Sequence, residues 1–243
     1  MTRTMALLAL TGLFAIAGRS PAFAQAGSQP AAAERPLFVD INAGFASKPE
    51  ALTTTTTFAI FGENGSAATR LEPATGALFD VRLGYRFRPR FGVAAAVSTG
   101  HSDVAATTTA SVPSPIRFAS PTIVSLDAGS SSRREIGLHL QAVFAMPISG
   151  NLTLAFAGGP SIVHMQQGVP NLSVTGSTPT VSSVNESGSG IGGNIGADLS
   201  ALLSAHYGIG VFVRYAAASI DLPSASGVKA GGVQAGGGLR VRF

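Results

Sequence analysis

Residues 231–243 alternate in polarity without a break, and that alternation constrains the fold more than any other feature of the chain. Val233, Ala235, Gly237, Leu239, Val241 and Phe243 share one face. Gln234, Gly236, Gly238, Arg240 and Arg242 share the other. Period-two alternation sends successive side chains to opposite sides of a strand. Such a strand needs apolar surroundings on one side and partners for two guanidinium groups on the other.

The pattern recurs along the chain. Residues 37–45 set Leu37, Val39, Ile41, Ala43 and Phe45 against Phe38, Asp40, Asn42 and Gly44. Residues 77–87 set Phe79, Val81, Leu83, Tyr85 and Phe87 against Asp80, Arg82, Gly84 and Arg86. Residues 91–99 place Phe91, Val93, Ala95, Val97 and Thr99 opposite the small Gly92, Ala94, Ala96 and Ser98. Residues 134–144 place Ile136, Leu138, Leu140, Ala142 and Phe144 opposite Glu135, Gly137, His139 and Gln141. Further strands are expected at 152–165, 190–202 and 209–215, the last with Arg214 on its polar side. Gly158-Gly159-Pro160 interrupts the first of these, as a bend or bulge would.

The connections alternate in length. Arg88-Pro89-Arg90, residues 147–151 and residues 204–206 are short turns, whereas 100–132, 166–188 and 220–229 are long and polar. The Thr-rich 53–57, with 58–61 and the turn-rich 62–66, lacks a clean apolar face and is expected as loop with some β character.

The start of the chain gives the compartment. Arg3, an apolar stretch over 5–17 and Ala22-Phe23-Ala24 have the order of a secretory signal, with cleavage near Ala24 or Ala26. The apolar stretch is shorter than the roughly 20 residues of a transmembrane helix. Three segments are therefore expected: a signal peptide over 1–24, a flexible periplasmic leader over 25–35 and a β-domain over 36–243. There is no cysteine, so no disulfide framework holds this exported chain. Charged residues are 12% of the sequence, against about 25% in a soluble domain. The basic residues are scattered without a run, which gives no nucleic-acid patch.

Eight alternating strands, long and short connections in turn, and a last strand ending in Phe resemble the small eight-stranded bacterial outer-membrane β-barrel proteins, of the OmpA-membrane-domain, OmpX and OmpW kind. The resemblance covers residues 36–243 and is architectural. It implies an all-β fold, an eight-stranded antiparallel transmembrane β-barrel with long extracellular loops and short periplasmic turns. It implies residence in the cell outer membrane as a monomer, among outer-membrane lipid and lipopolysaccharide. Insertion would pass through periplasmic chaperones and the barrel-assembly machinery, with Leu239, Val241 and Phe243 as the assembly signal. Phe38, Phe45, Tyr85, Phe87, Phe91, Phe144, Tyr215 and Phe243 would form the interfacial aromatic girdles.

Two roles are open at this point. One is a structural or surface-interaction role through the exposed loops; the other is a narrow porin-like channel for small or hydrophobic solutes. The polar strand faces hold Asp40, Asp80, Arg82, Arg86, Glu135, Asp198, Arg214, Arg240 and Arg242. An eight-stranded barrel is just wide enough for side chains to fill, so these charges either pair into a plug or line a channel. Closing the first strand on the last would bring Asp40 to Arg240 and Arg242.

Signals for catalysis are weak. Residues 188–193 spell G-x-G-x-x-G but follow a Ser/Thr stretch and lead into period-two alternation, not a helix. His101, His139, His164 and His206 lack metal-ligand spacing, and no cofactor or metal is expected. Ser161 and His164 fall on opposite strand faces, out of reach as nucleophile and base. No enzyme activity is expected.

Overall fold

The computed structural model describes residues 36–47, 50–175 and 178–243. The expected signal peptide and leader lie outside the described residues. Ten antiparallel strands follow: β1 Leu37–Ala46, β2 Leu52–Ile60, β3 Glu63–Pro73, β4 Gly76–Arg86, β5 Phe91–Val112, β6 Thr122–Pro147, β7 Leu152–Thr175, β8 Thr178–Leu202, β9 Tyr207–Leu222 and β10 Ala225–Arg242.

Eight of them close a ring in the order β5-β4-β1-β10-β9-β8-β7-β6, with β6 pairing back onto β5. The remaining two, β2 and β3, form a hairpin along the upper half of β5, from Ser66↔Ser111 to Pro73↔Val104. The ring closes at β1 and β10 in the register Asp40↔Arg240 and Phe38↔Arg242. A closed ring leaves no strand edge unpaired, the condition for β-structure to span a bilayer.

Outside the ring, Leu83 is 51% and Leu140 55% exposed, and along the middle of each barrel strand every second residue stands beside them as apolar or small. On β6 this band runs from Ile136 to Met146. Ten steps at about 3.3 Å, tilted by about 45°, give a height near 25 Å, that of a membrane-barrel apolar zone. Tyr85, Phe87, Phe91, Phe156, Tyr207 and Phe243 stand exposed at the end with the short turns, and Phe45, Phe79 and Tyr215 at the opposite end. Phe91 and Phe144 pack with centroids 5.2 Å apart. Phe38 does not join this girdle: it points inward and is 2% exposed. It sits at an inward position of β1, and three arginines surround its ring.

The expected long loops are mostly strand. β5 to β8 run 22, 26, 24 and 25 residues, at least twice the roughly 9–11 that span a bilayer. Above the membrane band, β2-β3-β5-β6 make one projection and the β7–β8 hairpin another. Their alternation is written in small residues: Val104, Ala106, Thr108, Ala110 and Val112 face in, while Asp103, Ala105, Thr107 and Thr109 face out. Ala against Thr is a faint contrast on any polarity scale, although the β-branched Thr favours strand. Thr69 and Thr108 share a 2.9 Å hydroxyl hydrogen bond across β3 and β5. Leu52 packs against both the Leu71–Val104–Ala106 cluster and the Val163–Met165–Ile220 cluster.

Gly158-Gly159-Pro160 is no bulge. The β6–β7 register is unshifted from His139↔Ser161 to Ala142↔Gly158, with the ladder missing only between them. Pro160 has no N–H to donate there.

Arginine at Leu83 or Leu140 is expected to cost about 2–4 kcal/mol on folding into lipid, because it sits near mid-membrane. Thr109→Arg, outward but beyond the band, is expected within about 0.5 kcal/mol of wild type. Urea titration of vesicle-refolded protein measures both; equal penalties would move the band away from Leu83.

Candidate functional site

The barrel interior is a polar network assembled by strand register. β1 sends Phe38, Asp40 and Asn42 inward between the inward residues of β4 and β10. Asp40 and Arg240 are wholly buried. Asp40 Oδ2 accepts from Arg82 Nε at 2.9 Å and Nη2 at 2.6 Å, and its Oδ1 accepts from Arg242 Nη1 at 2.7 Å. Arg240 Nε lies 3.8 Å from the same Oδ1. Arg240 forks onto Asp198 of β8, with Nη2 2.5 Å from Oδ2, and donates from Nη1 to Asn42 Oδ1 at 2.7 Å. Asn42 Nδ2 donates to Asp80 at 3.1 Å; Asp80 accepts from Arg214 Nη1 at 2.9 Å; Arg214 Nε donates to Gln234 at 2.8 Å.

Glycine makes room for these long side chains. A Cβ on Gly210 would stand 2.7 Å from Arg240 Nε, and one on Gly84 would stand 2.1 Å from the Phe38 ring.

Seven of the nine expected interior charges thus meet in one network. Arg86 takes a different place. Its guanidinium lies 5.6 Å over Phe38, which also faces Arg242 at 5.1 Å and Arg82 at 5.7 Å. Glu135 belongs to a second group, nearer the projecting end. It accepts from Arg133 Nε at 2.7 Å and from the Gly231 backbone N–H at 3.0 Å. Arg133 also donates to Gln167 Oε1 at 3.1 Å and to the Lys229 carbonyl at 2.7 Å. This clamp holds β10 where Gly231 and Gly232 adopt φ of +94° and +126°, a conformation open to glycine alone. Arg133 escaped sequence reading because the fourth strand was taken to begin one residue later. Its inward parity with Glu135 was the available signal.

A third group lies between them. His139 Nδ1 is 2.8 Å from Ser161 Oγ, and its Nε2 is 3.0 Å from Ser98 Oγ. Asn194 Nδ2 donates to Ser161 Oγ at 2.8 Å, and Gln141 Nε2 donates to Asn194 Oδ1 at 2.6 Å. Ser161 does meet an imidazole, but that of His139 and not the one considered with it in the sequence. Ser161 and His164 do lie on opposite faces, but Ser161 meets His139 across the β6–β7 register. No carboxylate hydrogen-bonds His139 among the described residues, and Asn194 occupies an Oγ lone pair of Ser161. Among the described residues no three His, Cys, Asp or Glu side chains gather as a metal site.

Small cavities lie inside among the described residues. One, of about 30 Å³, is lined by Ser98, Arg133, Glu135, His139 and Gln234. Another, of about 20 Å³, is lined by Asp80, Arg82, Gln141, Asp198 and Arg214. A water needs about 10–15 Å³ on this measure, so each has room for one or two. Arg214 Nη2 and Gln141 Oε1, both on the smaller cavity, have no hydrogen-bond partner. Of the residues expected to form an assembly signal, Leu239 and Phe243 are exposed on the outer face and Val241 is half-buried there.

No family model matches the chain, and no curated protein does. Solved structures do. The outer membrane protein OprG from Pseudomonas aeruginosa is 14% identical, with a TM-score of 0.47 over 88% of this chain and 99% of that one. The N-terminal β-barrel domain of Pseudomonas aeruginosa OprF is 13% identical, with a TM-score of 0.32 over 86% and 98%. The outer membrane protease OmpT from Escherichia coli is 8% identical, with a TM-score of 0.40 over 86% and 97%. The barrel itself is defined by this chain's own closed strand ladder.

Removing one member of a buried ion group leaves its partners uncompensated, at a cost of about 3–5 kcal/mol. Asp40→Asn is expected to reach that range, and a cycle with Arg242→Gln to show coupling of about 0.5–3 kcal/mol. Equilibrium unfolding in lipid measures it, and zero coupling would mean that the 2.7 Å contact contributes nothing.

Proposed function

We propose that this chain is a closed outer-membrane barrel, without enzyme activity, that acts through its β-structured projections at the cell surface. The supporting observation is the interior: among the described residues, Asp40, Arg240 and their partners are packed within the lumen, and the two cavities beside Arg133 and Arg214 have room for a water or two each. The projections supply the surface, with outward faces of Ser, Thr and Ala that bear few charges. In this reading the short turns at 87–90, 148–151 and 203–206 face the periplasm and residues 113–121 face the medium. Export by a cleaved signal peptide, insertion by the assembly machinery through the strand bearing Leu239, Val241 and Phe243, and a monomeric state complete the proposal.

Supporting the reading without activity, His139 is buried between the hydroxyls of Ser98 and Ser161, and no carboxylate hydrogen-bonds it among the described residues. A narrow channel is the second reading. It is favoured by the two cavities stacked in the lumen and by the unpartnered Arg214 and Gln141 atoms between the charge network and His139.

Planar-bilayer recording separates the two. Wild-type protein is expected to give no steady open level; a reproducible one would establish the channel. Topology is checked separately: trypsin added to intact cells should cut after the exposed Arg117 and leave the Arg90–Phe91 bond whole. Cleavage at Arg90 in intact cells would invert the barrel.

A further inference from the structure

The projecting sheet has one margin that nothing in the barrel requires to be open. β2 pairs with β3 alone, and no strand lines its other edge among the described residues. Natural proteins blunt such an edge with charge, proline or a bulge. β2 carries none of these. It consists of Leu52, five threonines, Phe58, Ala59 and Ile60, its register with β3 is unbroken, and the nearest charges in sequence are Glu50 and Glu63. The opposite margin of the projection, upper β6, is blunted: its register shifts between Asp127 and Ser130, where Gly129 adopts φ of +77°.

The hairpin turn fixes which groups the edge presents. Phe61 and Gly62 have φ of +54° and +76°, as a two-residue type I′ turn requires. Such a turn is closed by a hydrogen bond from the Glu63 N–H to the Ile60 carbonyl. The backbone groups of Ile60 therefore face β3, and alternation sends those of Phe58, Thr56 and Thr54 the same way. The N–H and C=O groups of Thr53, Thr55, Thr57 and Ala59 point to the open side, and all four residues are exposed.

This edge is complementary to itself. A twofold axis through Thr56, perpendicular to the sheet, sets Thr55 opposite Thr57 of a second copy and Thr53 opposite its Ala59. Each such pair brings bonding groups to bonding groups and exchanges two hydrogen bonds. Thr56 falls between them, opposite its own counterpart. No like charges meet along the seam, and threonine against threonine is a favourable cross-strand pair.

The same axis decides where the second copy stands. β2 and β5 both pair antiparallel with β3, so β2 runs as β5 does, away from the membrane. β5 is one continuous strand from the apolar band into the projection, so the sheet prolongs the barrel wall and its normal lies in the membrane plane. A half-turn about that normal inverts the second barrel. Copies in one membrane run β2 in one direction and cannot form this seam.

We propose that β2 pairs antiparallel with β2 of a second copy held in a facing membrane, so that the projection joins like cell to like cell. The proposal rests on the outward placement of the projections given above and names the partner they meet. A single short seam binds weakly, and many copies in two apposed membranes add as avidity. Each barrel stays a monomer within its own membrane.

Two populations of phospholipid vesicles, each carrying the full chain and a different fluorescent lipid, test the seam. Trypsin cleavage after Arg117 in a sample of each preparation verifies that the projections face out. Wild-type vesicles are expected to cluster across colours. Thr55→Pro, which removes an edge N–H and leaves the β2–β3 ladder whole, should cut clustering at least tenfold. Thr55→Lys/Thr57→Lys and Thr55→Glu/Thr57→Glu should each fail to cluster alone and should cluster when mixed; they carry the result if the proline variant does not fold. Register is read with cysteine, which the chain lacks. Thr56→Cys meets itself at the axis in a non-hydrogen-bonded pair, with Cα atoms about 4.5 Å apart, within disulfide range. It should oxidise to dimers that join the two populations, and Thr53→Cys, opposite Ala59, should give less than a tenth as much. Clustering indifferent to these charges, equal cross-linking at 53 and 56, or dimers formed only within one vesicle overturns the seam. Vesicles that expose Arg117 and do not cluster refute the seam and leave the outward placement standing. Protection of Arg117 in intact cells refutes the placement and the seam with it, whereas a conducting barrel that still clusters refutes the closed-barrel reading alone.

Discussion

One carboxylate, that of Asp40, is the point on which the barrel interior depends. An eight-stranded ring leaves no lumen wide enough for bulk water to solvate charges, so inward charges depend on neighbouring side chains, mostly of other strands. Asp40 serves β4 and β10 together, through Arg82, Arg240 and Arg242. Asp198 and Asp80 then extend the pairing to β8 and β9. Outside, lipid needs only apolar side chains, which specify a face and not a register. Inside, a slip of one residue would exchange Asp40 and its arginines for the outward Val39, Ile41 and Leu239. The network is thus a strong determinant of register in a wall of otherwise interchangeable aliphatics.

The same asymmetry explains what could be read from the chain. The eight barrel strands were legible because Leu, Val, Ile and Phe alternate with charged or very small residues, as in β4 with Val81-Arg82-Leu83. Asp40 and its two arginines on β10 were also legible, since strand direction and parity alone bring the chain's first and last strands together. The upper halves of β5 and β6 were not. On β5 the inward residues there include Ala106, Thr108 and Ala110 and the outward ones Ala105, Thr107 and Thr109, and the polarity contrast that signals a strand nearly vanishes. Phe38 was misread for a related reason: an aromatic at a strand end is usually interfacial, whereas here three guanidiniums need its ring face.

Interior residues without charge were the least visible. Gln141, Asn194, Ser98 and Ser161 are common on any polar strand face, and only the three-dimensional register joins them to His139. Their bonds run between β5, β6, β7 and β8, while the ion pairs mainly tie β1, β4, β8, β9 and β10. The two sets divide the circumference between them. Arg133 and Glu135 cross the remaining gap, from β6 to the backbone of β10.

The closing seam between β1 and β10 also sets an order of events. Its ion pair joins residues 202 positions apart, so the contact that neutralises Asp40 on that side arises only after β10 has been delivered. Until then β1 and β10 are open edges, and Arg240 and Arg242 have no carboxylate from the opposite end of the sequence. Contacts of such separation form slowly, because loop closure must be met before they contribute. The unclosed chain therefore presents two adhesive strand edges with opposite charges for as long as assembly takes. A second unclosed copy could satisfy both, strand for strand. Intermolecular strand exchange is thus the characteristic hazard of this sequence, and delivering its two ends together is the step at which that hazard is removed.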